Sequence, residues 1–145
     1  MVDGQGDQNL TGKENSISAN ANILYIEDNL DNRVVMEALI KKSLGIDIRT
    51  ANDAEQGLKM CQESLPDLIL MDIRLPGMDG VDAIKLLKNQ SETRDIPIIA
   101  VSADAMEDNI EYAIKAGADE YITKPFDIEN VVSTIVRLSG GQIQN

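Results

Sequence analysis

Between Ile23 and Leu138, short apolar runs alternate with longer stretches whose apolar residues recur at helical spacing. The runs are Ile23 to Ile26, Ile46 to Thr50, Leu68 to Met71, Pro97 to Val101 and Tyr121 to Thr123; at these lengths they predict strands. The intervening stretches predict helices. Met36, Ile40 and Leu44 form one face, Leu58, Cys61 and Leu65 a second, Val81, Ile84 and Leu87 a third, and Ile110, Ala113 and Ile114 a fourth. Ile128, Val131, Val132 and Ile135 form the fifth and cleanest. The strands show no polar alternation, so the sheet is expected to be parallel and covered on both faces. Five βα units with right-handed crossovers predict an α/β, flavodoxin-like (βα)5 doubly wound sheet in the order 2-1-3-4-5. In that order ligands bind at the carboxyl ends of the strands.

The flanks read differently. Residues 1–22 are rich in Gly, Asn, Gln and Ser and carry little apolar surface, so they are expected to be a flexible leader or linker. Residues 139–145 are expected to be a flexible tail, leaving one domain over residues 23–138.

The chain of 145 residues carries 13 Lys and Arg against 25 Asp and Glu, a formal charge of −12. Such a surface repels phosphate backbones, which argues against nucleic-acid binding, and anionic membrane surfaces are disfavoured for the same reason. One cysteine excludes an internal disulfide framework, and no apolar run before Ile23 resembles a signal or membrane segment, so a cytoplasmic location is expected. The absence of His removes the commonest general base and zinc ligand. Chemistry must run on carboxylates, hydroxyls, Lys and Tyr.

The residues that follow the apolar runs supply such groups. Glu27 and Asp28 follow the first, Asp72 the third, Ser102 the fourth and Lys124 the fifth. Three carboxylates converging at strand ends repel one another and call for a cation; Mg²⁺ suits the set because it manages with few protein ligands. Three carboxylates, one Lys and Mg²⁺ sum to about zero charge, which leaves room for a phosphoryl group. Asp72 is placed as nucleophile toward phosphorus, with Lys124 and Ser102 facing the phosphoryl oxygens.

Taken singly, each residue has a plainer explanation. Asp72 could begin a turn, Glu27 and Asp28 could favour the start of a helix capped between Asn29 and Asn32, and Lys124 could be a surface charge. Tyr121 could be a packed strand aromatic. Pro76-Gly77 and Asp79-Gly80 read as turns, with Pro76 and Gly77 at the centre of a type II turn, and Cys61 as a buried, inert thiol. Convergence of the five strand-end groups is what favours a site.

These residues resemble the receiver domain of bacterial two-component response regulators, of single-domain or hybrid-kinase type. The resemblance covers Ile23 to Leu138 and rests on ILYIEDN, LILMDIRLPGMDG, IPIIAVSADA and EYITKPF. It implies that Asp72 is the phosphoacceptor, that Glu27, Asp28, Asp72 and the backbone carbonyl of Arg74 hold Mg²⁺, and that Ser102 and Tyr121 form a switch pair. It also implies a cis Lys124–Pro125 bond. The implied donor is a histidine kinase or histidine phosphotransfer protein docking on the first helix, which is expected to begin near Asn32. The implied output is a downstream protein on the fourth helix, fifth strand and fifth helix. The chain would be a signalling receiver that catalyses only its own phosphoryl transfer and dephosphorylation. EDNLDNR is similar to receivers of phosphorelays, so both a stand-alone regulator and the receiver segment of a hybrid histidine kinase fit. Arg74 and Asp104, two residues beyond Asp72 and Ser102, depart from the best-known pattern and are expected to pair across the site mouth, narrowing water's approach.

Two other classes use similar parts. An aspartyl-nucleophile phosphohydrolase of the haloacid-dehalogenase type needs a second Asp where this chain has Arg74. A flavodoxin needs a phosphate-cradling loop where this chain has Glu27, Asp28 and Asn29.

Overall fold

The computed structural model describes residues 17–139. The alternation of runs and stretches becomes β1 (Ile23–Ile26), α1 (Leu30–Leu44), β2 (Arg49–Ala51), α2 (Ala54–Glu63), β3 (Leu68–Asp72), α3 (Gly80–Lys88), β4 (Ile98–Ser102), α4 (Glu107–Ala116), β5 (Glu120–Thr123) and α5 (Ile128–Leu138). All neighbouring strands are parallel, in the order β2-β1-β3-β4-β5, as expected for a flavodoxin-like sheet. Ile26 pairs with Met71, and Asp72 with Val101, which aligns the carboxyl ends of the three central strands.

Because successive strand residues point to opposite faces, the sheet divides its apolar residues between two cores. Ile23, Tyr25, Leu68, Leu70, Ile99 and Val101 face α1 and α5, meeting Met36, Ile40, Val131 and Ile135. Leu24, Ile26, Ile69, Met71, Ile98 and Ala100 face α2, α3 and α4, meeting Cys61, Ile84, Leu87 and Ala113. The Cys61 thiol is buried there, and burial pushes its pKa up, consistent with an unreactive sulfur.

Several expectations need correction. The second strand is shorter and later than the run Ile46 to Thr50: only Arg49, Thr50 and Ala51 pair with β1, and Ile46 and Ile48 are buried ahead of them without pairing. Leu65 does not continue the face of α2. That helix ends at Glu63, the residue before Pro66 is disfavoured from helical geometry, and Leu65 is 50% exposed. Ile114 is likewise on the outside of α4, where Ala113 is the buried residue. The first helix begins at Leu30, with Asn29 as its cap accepting from the Asn32 N–H at 2.9 Å. Asp79 is a helix cap rather than a turn residue: its side chain accepts from the Val81 N–H at 2.8 Å and Gly80 opens α3. Gly77, by contrast, has the positive φ of 73° that a type II turn after Pro76 requires.

Packing also extends upstream of Ile23. Ile17 is buried against the α1–α5 core, and Asn22 accepts from Arg49 Nε at 2.8 Å while its N–H donates to Asp67 at 2.8 Å. A leader ending at residue 22 is therefore too long, since Ile17 supplies the apolar contact that composition averaged away. Residues 1–16 of that leader and 140–145 of the expected tail lie outside the described residues.

Candidate functional site

The carboxyl ends of β1, β3 and β5 bring together Glu27, Asp28, Asp72 and Lys124. Glu27 is buried and held on all sides: Lys124 Nζ donates to Oε1 at 2.8 Å, the Tyr25 hydroxyl donates to the same oxygen at 3.0 Å, and the Asn29 N–H donates to Oε2 at 3.1 Å. Asp72 ends β3, also buried. Its Oδ2 accepts from Lys124 Nζ at 3.2 Å and its Oδ1 from the Arg74 N–H at 3.1 Å. Carboxylate oxygens of Glu27, Asp28 and Asp72 lie within 4.8 Å of one another, with Asp28 on the exposed side.

The electrostatics separate the two buried acids. Burial opposes ionisation of Glu27, yet the Lys124 ammonium and the Asn29 N–H outweigh it and bring its pKa down to about 2. Asp72 is pushed up to about 6, by burial first and by the Glu27 carboxylate next, with Lys124 only partly compensating. Burial disfavours the charged Lys124, but its two carboxylate partners raise its pKa overall. Tyr25 is raised by burial and by its bond to Glu27, so its phenol stays protonated as a donor.

An all-oxygen set of three close carboxylates is chemically suited to a hard divalent cation, because Lys124 alone offsets one of three charges. The fit holds for Mg²⁺, which needs few protein oxygens.

Ser102 and Tyr121 are nearby but engaged elsewhere. Ser102 is buried at the end of β4, where its Oγ accepts from the Asp104 N–H at 3.1 Å and its carbonyl accepts from the Lys124 N–H at 2.8 Å. The Tyr121 hydroxyl donates to the Asp104 carbonyl at 2.7 Å. Arg74 and Asp104 do pair, at 3.2 Å. Beside them opens a cavity of about 590 Å³, lined by Asp28, Arg74, Ser102, Asp104, Asn109 and Tyr121 among others. The Lys124–Pro125 bond is cis.

Three supporting residues escaped the sequence reading. Tyr25 looked like one more apolar strand position, and its only signal was a phenol two residues before an acid. Asn109 donates to Asp104 Oδ2 at 2.6 Å from the first turn of α4, a partnership only the fold reveals. Gly80 matters through close approach: a Cβ there would collide with the Asp72 carbonyl and the Ile73 Cα, both backbone. Gly80→Ala should therefore displace the acceptor strand and lower stability by about 1–3 kcal/mol, measured as a reduced urea midpoint. A midpoint equal to wild type would show that α3 can shift without disturbing Asp72.

A parallel (βα)5 sheet with clustered acids and a lysine at its carboxyl ends defines a class of signalling protein, and sequence comparison agrees. The profile of the response regulator receiver domain matches residues 23–136. The chain belongs to that family. It is 41% identical over 113 residues to the polar-differentiation response regulator DivK of Brucella anthropi, covering 78% of this chain and 91% of that protein. The receiver domain of the sensor histidine kinase PA1611 of Pseudomonas aeruginosa, solved with a magnesium ion in its active-site cleft, is 35% identical with a TM-score of 0.76, covering 83% of this chain and 98% of that one. A response regulator structure from Chloroflexus aurantiacus gives a TM-score of 0.78 at 25% identity, covering 82% and 97%. The chain is thus a receiver of the two-component signalling type, and among the described residues no helix is long and apolar enough to cross a membrane.

Proposed function

We propose that the protein is a phospho-acceptor switch in which Asp72 takes a phosphoryl group from a partner's phosphohistidine. The observation that carries this reading is the buried Asp72 carboxylate held between the Lys124 ammonium and two further acids at the sheet's carboxyl edge. A carboxylate oxygen of Asp72 attacks phosphorus, the P–N bond of the donor breaks, and its electron pair leaves on the imidazole, which takes up a proton. Lys124 and the Ser102 hydroxyl meet the charge on the phosphoryl oxygens, as preorganised donors do in such transfers. Glu27, Asp28, Asp72 and the Arg74 carbonyl would hold Mg²⁺, which when bound offsets carboxylate charge and draws electron density from the phosphoryl oxygens. Dephosphorylation is attack by water, which returns the carboxylate and inorganic phosphate.

These 145 residues hold no His, so the phosphohistidine lies outside them. On α1, Leu30, Val34 and Val35 are each more than half exposed while Met36 and Ile40 face the core, an apolar outer surface suited to a kinase or phosphotransfer helix. The face of α4, β5 and α5 is the proposed output surface, with Ser102 and Tyr121 linking it to Asp72 and a cytoplasmic protein as its target. The likeness to DivK fits a stand-alone regulator, our first reading, and the likeness to PA1611 keeps the receiver of a hybrid kinase as the second; the native reading frame distinguishes them.

Incubation with acetyl phosphate and Mg²⁺ followed by intact mass should show one added phosphoryl group, lost when the metal is chelated. No mass change in the presence of Mg²⁺, or continuous turnover of phosphomonoesters, would overturn the reading in favour of an inert or hydrolytic domain. Arg74, at the site mouth, should slow hydrolysis of the acyl phosphate by narrowing water's access. Arg74→Asn should then release inorganic phosphate several-fold faster, and an unchanged rate removes that role.

A further inference from the structure

Asp104 makes more connections than any other residue around the cavity, and each of its polar groups leads somewhere different. Its N–H donates to Ser102 Oγ at 3.1 Å and its carbonyl accepts from the Tyr121 hydroxyl at 2.7 Å. Its Oδ1 accepts from the Met106 N–H at 2.9 Å, and its Oδ2 accepts from Asn109 at 2.6 Å and from Arg74 Nη2 at 3.2 Å. The backbone of this one residue therefore holds both hydroxyls of the proposed switch, while its side chain ties that backbone to α4 and to the loop after β3.

We infer that the Arg74–Asp104 ion pair is a charge-operated lock on the segment from Ser102 to Asn109, opened when a phosphoryl group on Asp72 draws Arg74 away from Asp104. The inference rests on the phospho-acceptor reading above and adds the event that couples acceptance to loop release. Arg74 is suited to the exchange: its own N–H is bonded to Asp72 Oδ1, and its side chain is 74% exposed, free to swing along the cavity it shares with Ser102. A phosphoryl group carries more negative charge than one carboxylate and presents several acceptor oxygens, so it competes well for a guanidinium. Asp104 tolerates the loss because Asn109 and the Met106 N–H remain. With Arg74 gone, Asp104 keeps only uncharged donors, Asn109 and the Met106 N–H, and Ser102 and Tyr121 can leave Asp104 together. An exposed ion pair biases such an equilibrium by about fivefold at most, which suits a lock that must open readily.

The test compares wild type with Asp104→Asn, which retains an oxygen for the Met106 N–H but loses the charge that holds Arg74 and the Oδ2 acceptor of Asn109, and with Asn109→Ala, which loses the Asn109 bond alone and should exchange more slowly than Asp104→Asn. Amide hydrogen exchange is followed in a peptide spanning residues 103–106, before and after treatment with acetyl phosphate and Mg²⁺, with intact mass recorded on the same samples. Wild type should exchange about fivefold faster once phosphorylated. Asp104→Asn should already exchange at the faster rate, change little on phosphorylation, and accept the phosphoryl group about fivefold faster, since acceptance no longer has to break the ion pair. Unphosphorylated Asp104→Asn exchanging like wild type would overturn the lock. So would a variant that exchanges faster yet accepts phosphoryl no faster, the result expected of a merely loosened loop. If mass shows phosphoryl on wild type but its exchange is unchanged, the lock fails and the acceptor reading stands; if no phosphoryl is taken up, both fail.

Discussion

Asp72→Asn will take up no phosphoryl group, and in metal-free buffer near about pH 7.5 it will be more stable than wild type. The first outcome follows because an amide oxygen cannot serve as the nucleophile. The second follows from the direction in which the site displaces Asp72. Its pKa is raised from 3.8 to about 6 in the folded protein, so its contribution is full below 3.8 and is lost as pH rises through about 6. Above that, the folded state carries an ionised group that burial and Glu27 disfavour. Asn removes this cost and keeps an oxygen for the Arg74 N–H, with a net gain of about 1–2 kcal/mol after allowing for the lost Lys124 contact. Urea unfolding with chelator should show the gain at neutral pH and its disappearance below about pH 4, where Asp72 is protonated in both states. Equal stability at all pH values would mean that Asp72 is not under electrostatic pressure. Magnesium should stabilise wild type more than the variant and so narrow the difference.

Lys124→Ala should act in the opposite direction. Removing the ammonium leaves Glu27 and Asp72, both buried, facing each other with no cation, and breaking such an arrangement by deleting one partner costs about 2–4 kcal/mol. The low pKa of Glu27 depends on this contact, so the variant should also lose the stability that Glu27 supplies above pH 4.5 and that wild type loses only as pH falls through about 2. Phosphoryl uptake should fall by about 100-fold, because a preorganised donor to the developing charge is gone. Thermal melts with and without Mg²⁺ separate the two effects: the metal should restore much of the stability and little of the rate. Full recovery of both by Mg²⁺ would show that Lys124 serves only to balance charge.

The opposite signs of these two outcomes arise from features that differ in how plainly they stand in the sequence. The sheet was legible because the runs at Ile23, Leu68 and Ile98 are buried on both faces and so carry unbroken apolar residues. Once the order of strands was inferred, Glu27, Asp28, Asp72 and Lys124 could be placed together without coordinates, since each is the residue that leaves the sheet. Edge features were less readable. β2 leaves out Ile46 and Ile48, which are buried without pairing, and Leu65 and Ile114 keep an apolar identity on surfaces that periodicity assigned to the core. On α1 the pattern is blurred by Leu30, Val34 and Val35, which point outward. The junction at Asp104 depends on backbone atoms of a loop, about which residue type says little beyond the charge complement to Arg74.

The phenols have a practical consequence. Tyr25 is bonded to a carboxylate, Tyr112 lies beneath the Lys85 ammonium at 4.9 Å, and Tyr121 is bonded to a peptide oxygen, so each ring reports on a different part of the molecule. With no Trp to mask them, their ultraviolet emission is an intrinsic optical signal. Events at Asp72 that reach Tyr121 can be followed in real time on unlabelled protein, with single Phe replacements assigning each component of the light.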